Sequence, residues 1–212
     1  MPQRRLQNVL KDLCRTFSEC RNFAADAYQW SLPGTHPHIT RKRRDYIAEL
    51  SFFRAFLAWE SFLEESFILY MLGQNPPKGR APHRFTIPPN QKSAEEWVIP
   101  EGRSYANWDA MPVSTRAQRF FRDGRPFTNA LRKRLTLLYE SKIIRNAIAH
   151  ESRSAHDKFE KLVREKLGTL PVNLTVGSFL GTTIPGLTPP LSFLEFYLDK
   201  IEIVAKQIVP TS

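Results

Sequence analysis

The feature that most constrains this fold is segment 41–72, whose apolar residues cover nearly every face of a helix. A helix that is apolar all round is buried among other elements, so this segment predicts a central helix. Gly73 follows it and suits its C-terminal cap. Charged residues interrupt the segment, and no uncharged apolar run reaches the roughly 18 residues that a membrane span requires. We therefore expect a helical domain without a membrane-spanning segment.

Other parts of the chain also carry helical patterns or helix signals. Pro126 suits a first helical turn, and Ser192 and Glu195 have the spacing of a capping box. These patterns predict an all-α bundle of four or five helices that forms a single domain over residues 1–212. The segments concerned are 3–30, 126–150, 154–167, 192–208 and the shorter 114–122.

The region 73–125 differs in composition from the helical segments around it. Seven of the sixteen prolines lie between Pro76 and Pro112. This predicts a long proline-rich insertion between the second and third major helices, and such loops are often functional. We expect three aromatic residues to attach it to the core, with stacking on nucleic-acid bases as the alternative role: Trp97, Tyr105 and Trp108. A second connection rich in Pro and Gly spans about 169–190.

The charge distribution favours a polyanionic partner. The chain carries a net charge of +10, because segments 1–44 and 115–170 contribute +6 and +8 and the remaining residues together contribute −4. A basic field of this kind raises the local concentration of nucleic acid. Cys14 and Cys20 match no zinc or redox spacing, and no apolar signal core begins the chain, so we expect a reducing cytoplasm. No residue cluster has the spacing of metal ligands, and we expect no cofactor.

The chemically most informative segment is Arg145-Asn146-Ala147-Ile148-Ala149-His150. Arginine binds phosphate oxygens at any working pH, and histidine exchanges protons near neutrality. Within a regular helix Arg145 and His150 would point about 140° apart. Either the helix ends near His150, as the polar residues after it favour, or the two side chains meet across a two-fold axis. The structural alternative is a helix end whose basic residues interact with the helix dipole.

The arginine, the polar residue after it and the histidine resemble the Arg-x4-6-His motif of the HEPN superfamily. The stretch 54–64, with Trp59, Glu60 and Phe62, is similar to the second helix of RiboL-PSP-like HEPN proteins. The resemblance covers about 5–72 and 126–208, so the predicted fold is a HEPN-like bundle with the proline-rich region outside it.

The resemblance implies a metal-independent endoribonuclease that acts as a homodimer, with two motifs in one cleft. The histidine would help activate the ribose 2′-OH or protonate the leaving 5′ oxygen, and the arginine would stabilise the charge on phosphorus. The products would carry 2′,3′-cyclic phosphate and 5′-OH ends. Such enzymes often serve as toxins, with an antitoxin partner, or as antiviral effectors. Two alternatives stay open: a non-catalytic HEPN module that binds RNA or a protein, and a helical scaffold with an incidental motif.

Several further residues are candidates for the same site. Asn146 is expected to orient His150 or bind a phosphate oxygen. Glu60, a carboxylate on an apolar helix, would support Arg145 or His150, or else form a structural ion pair. Seven basic residues are candidates for RNA contact, although the runs at 41–44 and 132–134 could equally be solvated helix surfaces. The candidates are Arg41, Lys42, Arg43, Arg44, Arg132, Lys142 and Arg153.

Overall fold

A computed structural model describes residues 4–32, 36 and 38–211. Within that part of the chain every regular element is a helix, and the only β pairing consists of two isolated bridges. The all-α prediction is therefore confirmed. The α-helices are α1 (Leu6–Trp30), α2 (Arg41–Met71), α3 (Gln91–Val98), α4 (Ala110–Phe120), α5 (Phe127–Arg132), α6 (Leu135–Ala149), α7 (Arg153–Leu167), α8 (Val176–Gly181) and α9 (Phe193–Ile208).

The helix ends follow the signals in the sequence closely. Gly73 adopts φ +85° and its N–H donates to the Tyr70 carbonyl at 3.0 Å, which ends α2. Ser192 N–H donates to Glu195 Oε2 at 2.9 Å and Glu195 N–H donates to Ser192 Oγ at 3.2 Å, so the predicted capping box opens α9. The first helix begins at Leu6 rather than at residue 3, which lies outside the described residues.

The prediction of one helix over 126–150 is wrong, because α5 and α6 are separate. The chain turns at Lys133 and Arg134, where Arg134 N–H donates to the Leu131 carbonyl at 3.1 Å. In a continuous helix Arg134 would lie on the stripe of Phe127 and Leu131, both of which are fully buried. Burying an unpaired guanidinium is costly, and the turn leaves Arg134 exposed. Pro126 precedes α5 as its N-cap residue instead of occupying the first turn.

Region 73–125 is more structured than a loop, since it contains α3, α4 and a 3₁₀ turn at Arg122–Gly124. Trp108 packs edge-on against Phe67 of α2, with ring centroids 5.8 Å apart, as expected for an anchoring residue. Trp97 and Tyr105 remain 43% and 66% exposed, so the expectation that they attach the region to the core is wrong. The buried Phe121 contributes to the attachment instead, and its ring centroid lies 5.0 Å from that of Phe67.

The chain forms two compact units. The first contains the described residues of 1–14, 58–138 and 201–212. Its core is an aromatic cluster around Phe67, whose ring lies 4.9 Å from that of Phe127. Tyr70, one turn further along α2, donates its hydroxyl to the Ile208 carbonyl of α9 at 2.7 Å.

The second unit contains the described residues of 15–57 and 139–200. A chain of aromatic contacts links α7, α8 and α9 in it, from Phe159 through Phe179 and Phe193 to Tyr197. Phe52 of α2 packs edge-on against Tyr197 at 6.3 Å. Buried aromatic contacts of this kind fix the helices that carry the candidate site.

Candidate functional site

The Arg145–His150 motif lies at the C-terminal end of α6, in the second unit. Helix α6 ends at Ala149, and the backbone N–H of His150 donates to the Asn146 carbonyl at 3.0 Å. Ser152 then caps α7, its Oγ accepting from Ala155 N–H at 3.3 Å. The expectation that the helix ends near His150 is confirmed. His150 therefore lies in a connection of three residues and is exposed to solvent.

Arg145 is half-buried and its guanidinium is held by two neighbours. Nη1 donates to Asn146 Oδ1 at 3.0 Å, and the guanidinium carbon lies 5.6 Å from the centre of the Phe56 ring on α2. The ring face attracts the cation and the amide oxygen orients it. Asn146, which we expected to act on His150 or on phosphate, thus contacts Arg145. The Phe56 contact could not be read from the sequence, since it depends on how α2 and α6 pack.

A polar cluster that no sequence pattern reveals holds α6 in place, five residues before Arg145. The Glu140 side chain is 12% exposed and accepts from Lys166 Nζ of α7 at 2.7 Å. Its second oxygen accepts from the Tyr197 hydroxyl of α9 at 2.9 Å. Burial, together with the Glu140 carboxylate, raises the pKa of Tyr197 above its ordinary range, so the phenol remains a neutral donor. The cluster joins α6, α7 and α9.

Glu60, the predicted supporting carboxylate, is half-buried and belongs to the first unit, whereas Arg145 and His150 belong to the second. Its assignment to the site stays a prediction.

Three of the basic residues predicted to bind RNA line a groove of about 1060 Å³ at the start of α2 in the second unit. Arg41, Lys42 and Arg43 are exposed along it, and Asn173 and Thr175 contribute to its lining from the segment before α8. A concave surface with several cations is suited to a phosphate backbone.

Two carboxylates in the groove are already engaged. Asp45 is 5% exposed and accepts two hydrogen bonds from the Arg44 guanidinium, at 2.7 and 3.0 Å. Glu49 accepts from Gly177 N–H at 2.8 Å, and burial raises its pKa. The Arg44 guanidinium also lies 4.6 Å from the Tyr28 ring centre, and its predicted RNA contact stays a prediction. Arg43 Nη1 donates to the His38 carbonyl at 2.6 Å, and Arg41 and Lys42 are the other exposed cations in the groove's lining.

The other predicted RNA contacts are dispersed. Arg153 is exposed at the first position of α7, three residues after His150. Lys142 is half-buried on α6, and Arg132 is exposed at the end of α5 in the first unit. Of these three, Arg153 has the position best suited to a phosphate beside the motif.

Three further observations concern the described residues. No group of three or more His, Cys, Asp or Glu side chains among them is arranged to hold a metal ion. None of the described helices has the length and apolar character needed to cross a bilayer. Cys14 and Cys20 are not joined to each other in a disulfide, and burial raises the pKa of Cys20.

Comparisons of the chain with protein-family models, with curated proteins and with solved structures found no significant match. The resemblance to HEPN proteins accordingly depends on the motif and its helical context.

Proposed function

We propose that this protein is a metal-independent endoribonuclease of the HEPN type, with Arg145, Asn146 and His150 at its site. In the reaction, the ribose 2′ oxygen loses its proton and bonds to phosphorus, the bond from phosphorus to the 5′ oxygen breaks, and that oxygen gains a proton. His150 transfers a proton at one of these two steps. The products are a 2′,3′-cyclic phosphate and a 5′-OH end.

The observation that carries the proposal is the arrangement of the motif at the end of α6. The Arg145 guanidinium is oriented in advance by Asn146 and Phe56, as stabilisation of a developing phosphoryl charge requires. The exposed imidazole of His150 is accessible to a large substrate, and an imidazole can both donate and accept a proton.

The groove beside Arg41, Lys42 and Arg43 supports RNA as the substrate, since it belongs to the same unit as the motif. We propose that these cations and Arg153 bind the phosphate backbone. A homodimer that brings two motifs into one cleft, and a toxin or defence role with a cognate antitoxin, complete the proposal.

A cleavage assay in EDTA tests the chemistry. Single-stranded and structured RNAs are incubated with wild type, His150→Ala, Arg145→Ala and the control His156→Ala, and the product ends are analysed. His156 is a matched control because it is also an exposed histidine, but lies on α7, where its Nε2 is 3.1 Å from Glu160 Oε1. We expect cyclic-phosphate products from wild type and control, and a loss of about 100-fold or more in the other two variants.

Equal cleavage by all four proteins would refute catalysis at this motif. If none of them cleaves any RNA, binding of the same RNAs is measured. Binding that Arg41→Gln or Arg153→Gln weakens would then favour the non-catalytic RNA-binding module over the enzyme.

A further inference from the structure

A second cavity, of about 520 Å³, lies in the first unit, formed where the start of region 73–125 meets α5 and the end of α9. Its volume falls within the range of about 300–1000 Å³ that is typical of small-molecule sites. None of its lining residues belongs to the Arg145–His150 motif or to the groove at α2.

The charge of this cavity is entirely positive among the residues that line it in the described chain. Lys78, Arg80, Arg125 and Lys133 contribute four cations, and no Asp or Glu is present in the lining. The four side chains make no ion pair with any carboxylate of the described residues, whereas other cations of the chain do. Four cations around one concavity repel one another and attract a multiply charged anion.

The walls of the cavity are held in place by hydrogen bonds. Lys78 N–H donates to the Pro210 carbonyl at 3.0 Å, and Ala81 N–H donates to Asn75 Oδ1 at 2.8 Å. Tyr70, whose hydroxyl is engaged with Ile208, contributes an apolar wall, and burial raises its pKa so that it adds no negative charge. A cavity formed in advance loses less conformational entropy when a ligand binds.

Other lining groups suit the rest of a phosphorylated ligand. The side-chain amides of Asn129 and Gln207 offer both donors and acceptors beside the cations. Arginine binds two phosphate oxygens at once, and lysine acts as a point charge, so the set suits a chain of phosphates more than a single carboxylate.

We propose that this cavity binds a polyphosphate group, carried by a nucleoside triphosphate or a similar small molecule. The inference does not rest on the ribonuclease proposal, since the two sites share no residue.

Isothermal titration of the 212-residue chain with tripolyphosphate and with ATP, both without magnesium, tests the proposal. The proteins are wild type, the double variant Arg80→Gln with Lys133→Gln, and a control that changes Lys11 and Arg103 to Gln. Lys11 and Arg103 are exposed cations of the same unit outside the cavity, so both double variants lose the same charge.

We expect one ligand per chain in wild type and control, and affinity at least tenfold lower in the cavity variant. If ATP binds in this way and tripolyphosphate does not, the site holds the nucleoside as well as the phosphates. If both ligands bind with equal affinity, the phosphates alone are recognised. Absence of binding to wild type, or equal weakening in the two double variants, would overturn the proposal. Binding of a 5′-hydroxyl RNA oligonucleotide at these residues, without either small anion, would also overturn it, in favour of a backbone contact. Thermal melting of all three proteins shows whether each is folded.

Discussion

At the scale of single residues, the most consequential arrangement is the set of contacts that orients the Arg145 guanidinium. A free arginine side chain samples many rotamers, and ordering it opposes binding. Here the Asn146 amide oxygen and the Phe56 ring restrict the guanidinium before any substrate arrives. We therefore regard Asn146 as a positioning residue that acts through Arg145.

Replacing Asn146 with Ala should lower kcat by about tenfold, which corresponds to the loss of one charge-assisted hydrogen bond of about 1.5 kcal/mol. Single-turnover cleavage of one defined RNA would measure the effect. Asn146→Asp keeps an acceptor for Arg145 and should recover most of kcat. If Asn146 were purely structural, Asn146→Ala and Asn146→Asp would lower the melting temperature equally. An exposed asparagine of α1 in the same unit, Asn22, provides the control Asn22→Ala.

The residues of this candidate site could be predicted from sequence only in part. Arg145, Asn146 and His150 form a local pattern, and the polar residues after His150 indicated the helix end. Phe56 and Glu140 could not be assigned, since their roles depend on which helices pack together. The contact between the Arg44 guanidinium and the buried Asp45 could not be read from its sequence neighbours either, and its predicted RNA contact stays a prediction.

At the scale of elements, α8 is placed by two glycines. A Cβ at Gly177 would overlap the backbone carbonyl of Asp45 on α2, and one at Gly181 would overlap the Tyr28 hydroxyl. The Gly177 N–H also donates to Glu49. The absence of side chains therefore lets α8 approach α1 and α2, beside the groove that Thr175 lines.

The two glycines should respond differently to substitution. Gly177→Ala should lower the free energy of unfolding by about 2 kcal/mol or more, because the clash is with backbone that cannot turn away. Gly181→Ala should cost less, since the end of the Tyr28 side chain can shift. Urea unfolding of both variants measures the difference, and a larger loss for Gly181→Ala would contradict this explanation.

The length of a helix and the signals at its ends determine whether the sequence predicts it. Helices α2, α7 and α9 were predicted to within one residue because they are long and have clear end signals. These signals are Gly73 after α2, the capping box at Ser192 before α9, and Gly168, which follows α7 with φ +77°. Helix α8 was missed because six residues show too little periodicity, and α3 because prolines surround it. The turn at Arg134 was missed since the apolar pattern on both sides of it continues in a helical register.

At the scale of the whole molecule, we propose that Arg145 and His150 cooperate between two chains. The proposed dimer offers a composite site, in which the arginine of one chain serves the histidine of the other. A homodimer of this kind has two equivalent sites.

Mixing the inactive variants Arg145→Ala and His150→Ala tests the composite site. Random exchange of subunits should make half of the dimers mixed, each with one intact site, and restore about a quarter of wild-type cleavage. Cleavage rates of the mixture and of each variant alone provide the measurement, and light scattering provides the molar mass. A monomeric mass, or a mixture as inactive as its components, would instead place both residues of a working pair in one chain.

The short connection after α6 has an evolutionary consequence. His150 is the first residue beyond the last helical position, and the next helix begins three residues later. A residue inserted between Ala149 and His150 would lengthen the connection, leaving Arg145 on its helical face against Phe56. Inside α6, the same insertion would rotate everything after it by about 100°. A motif placed across a helix end can therefore tolerate changes in spacing that a motif within a helix cannot.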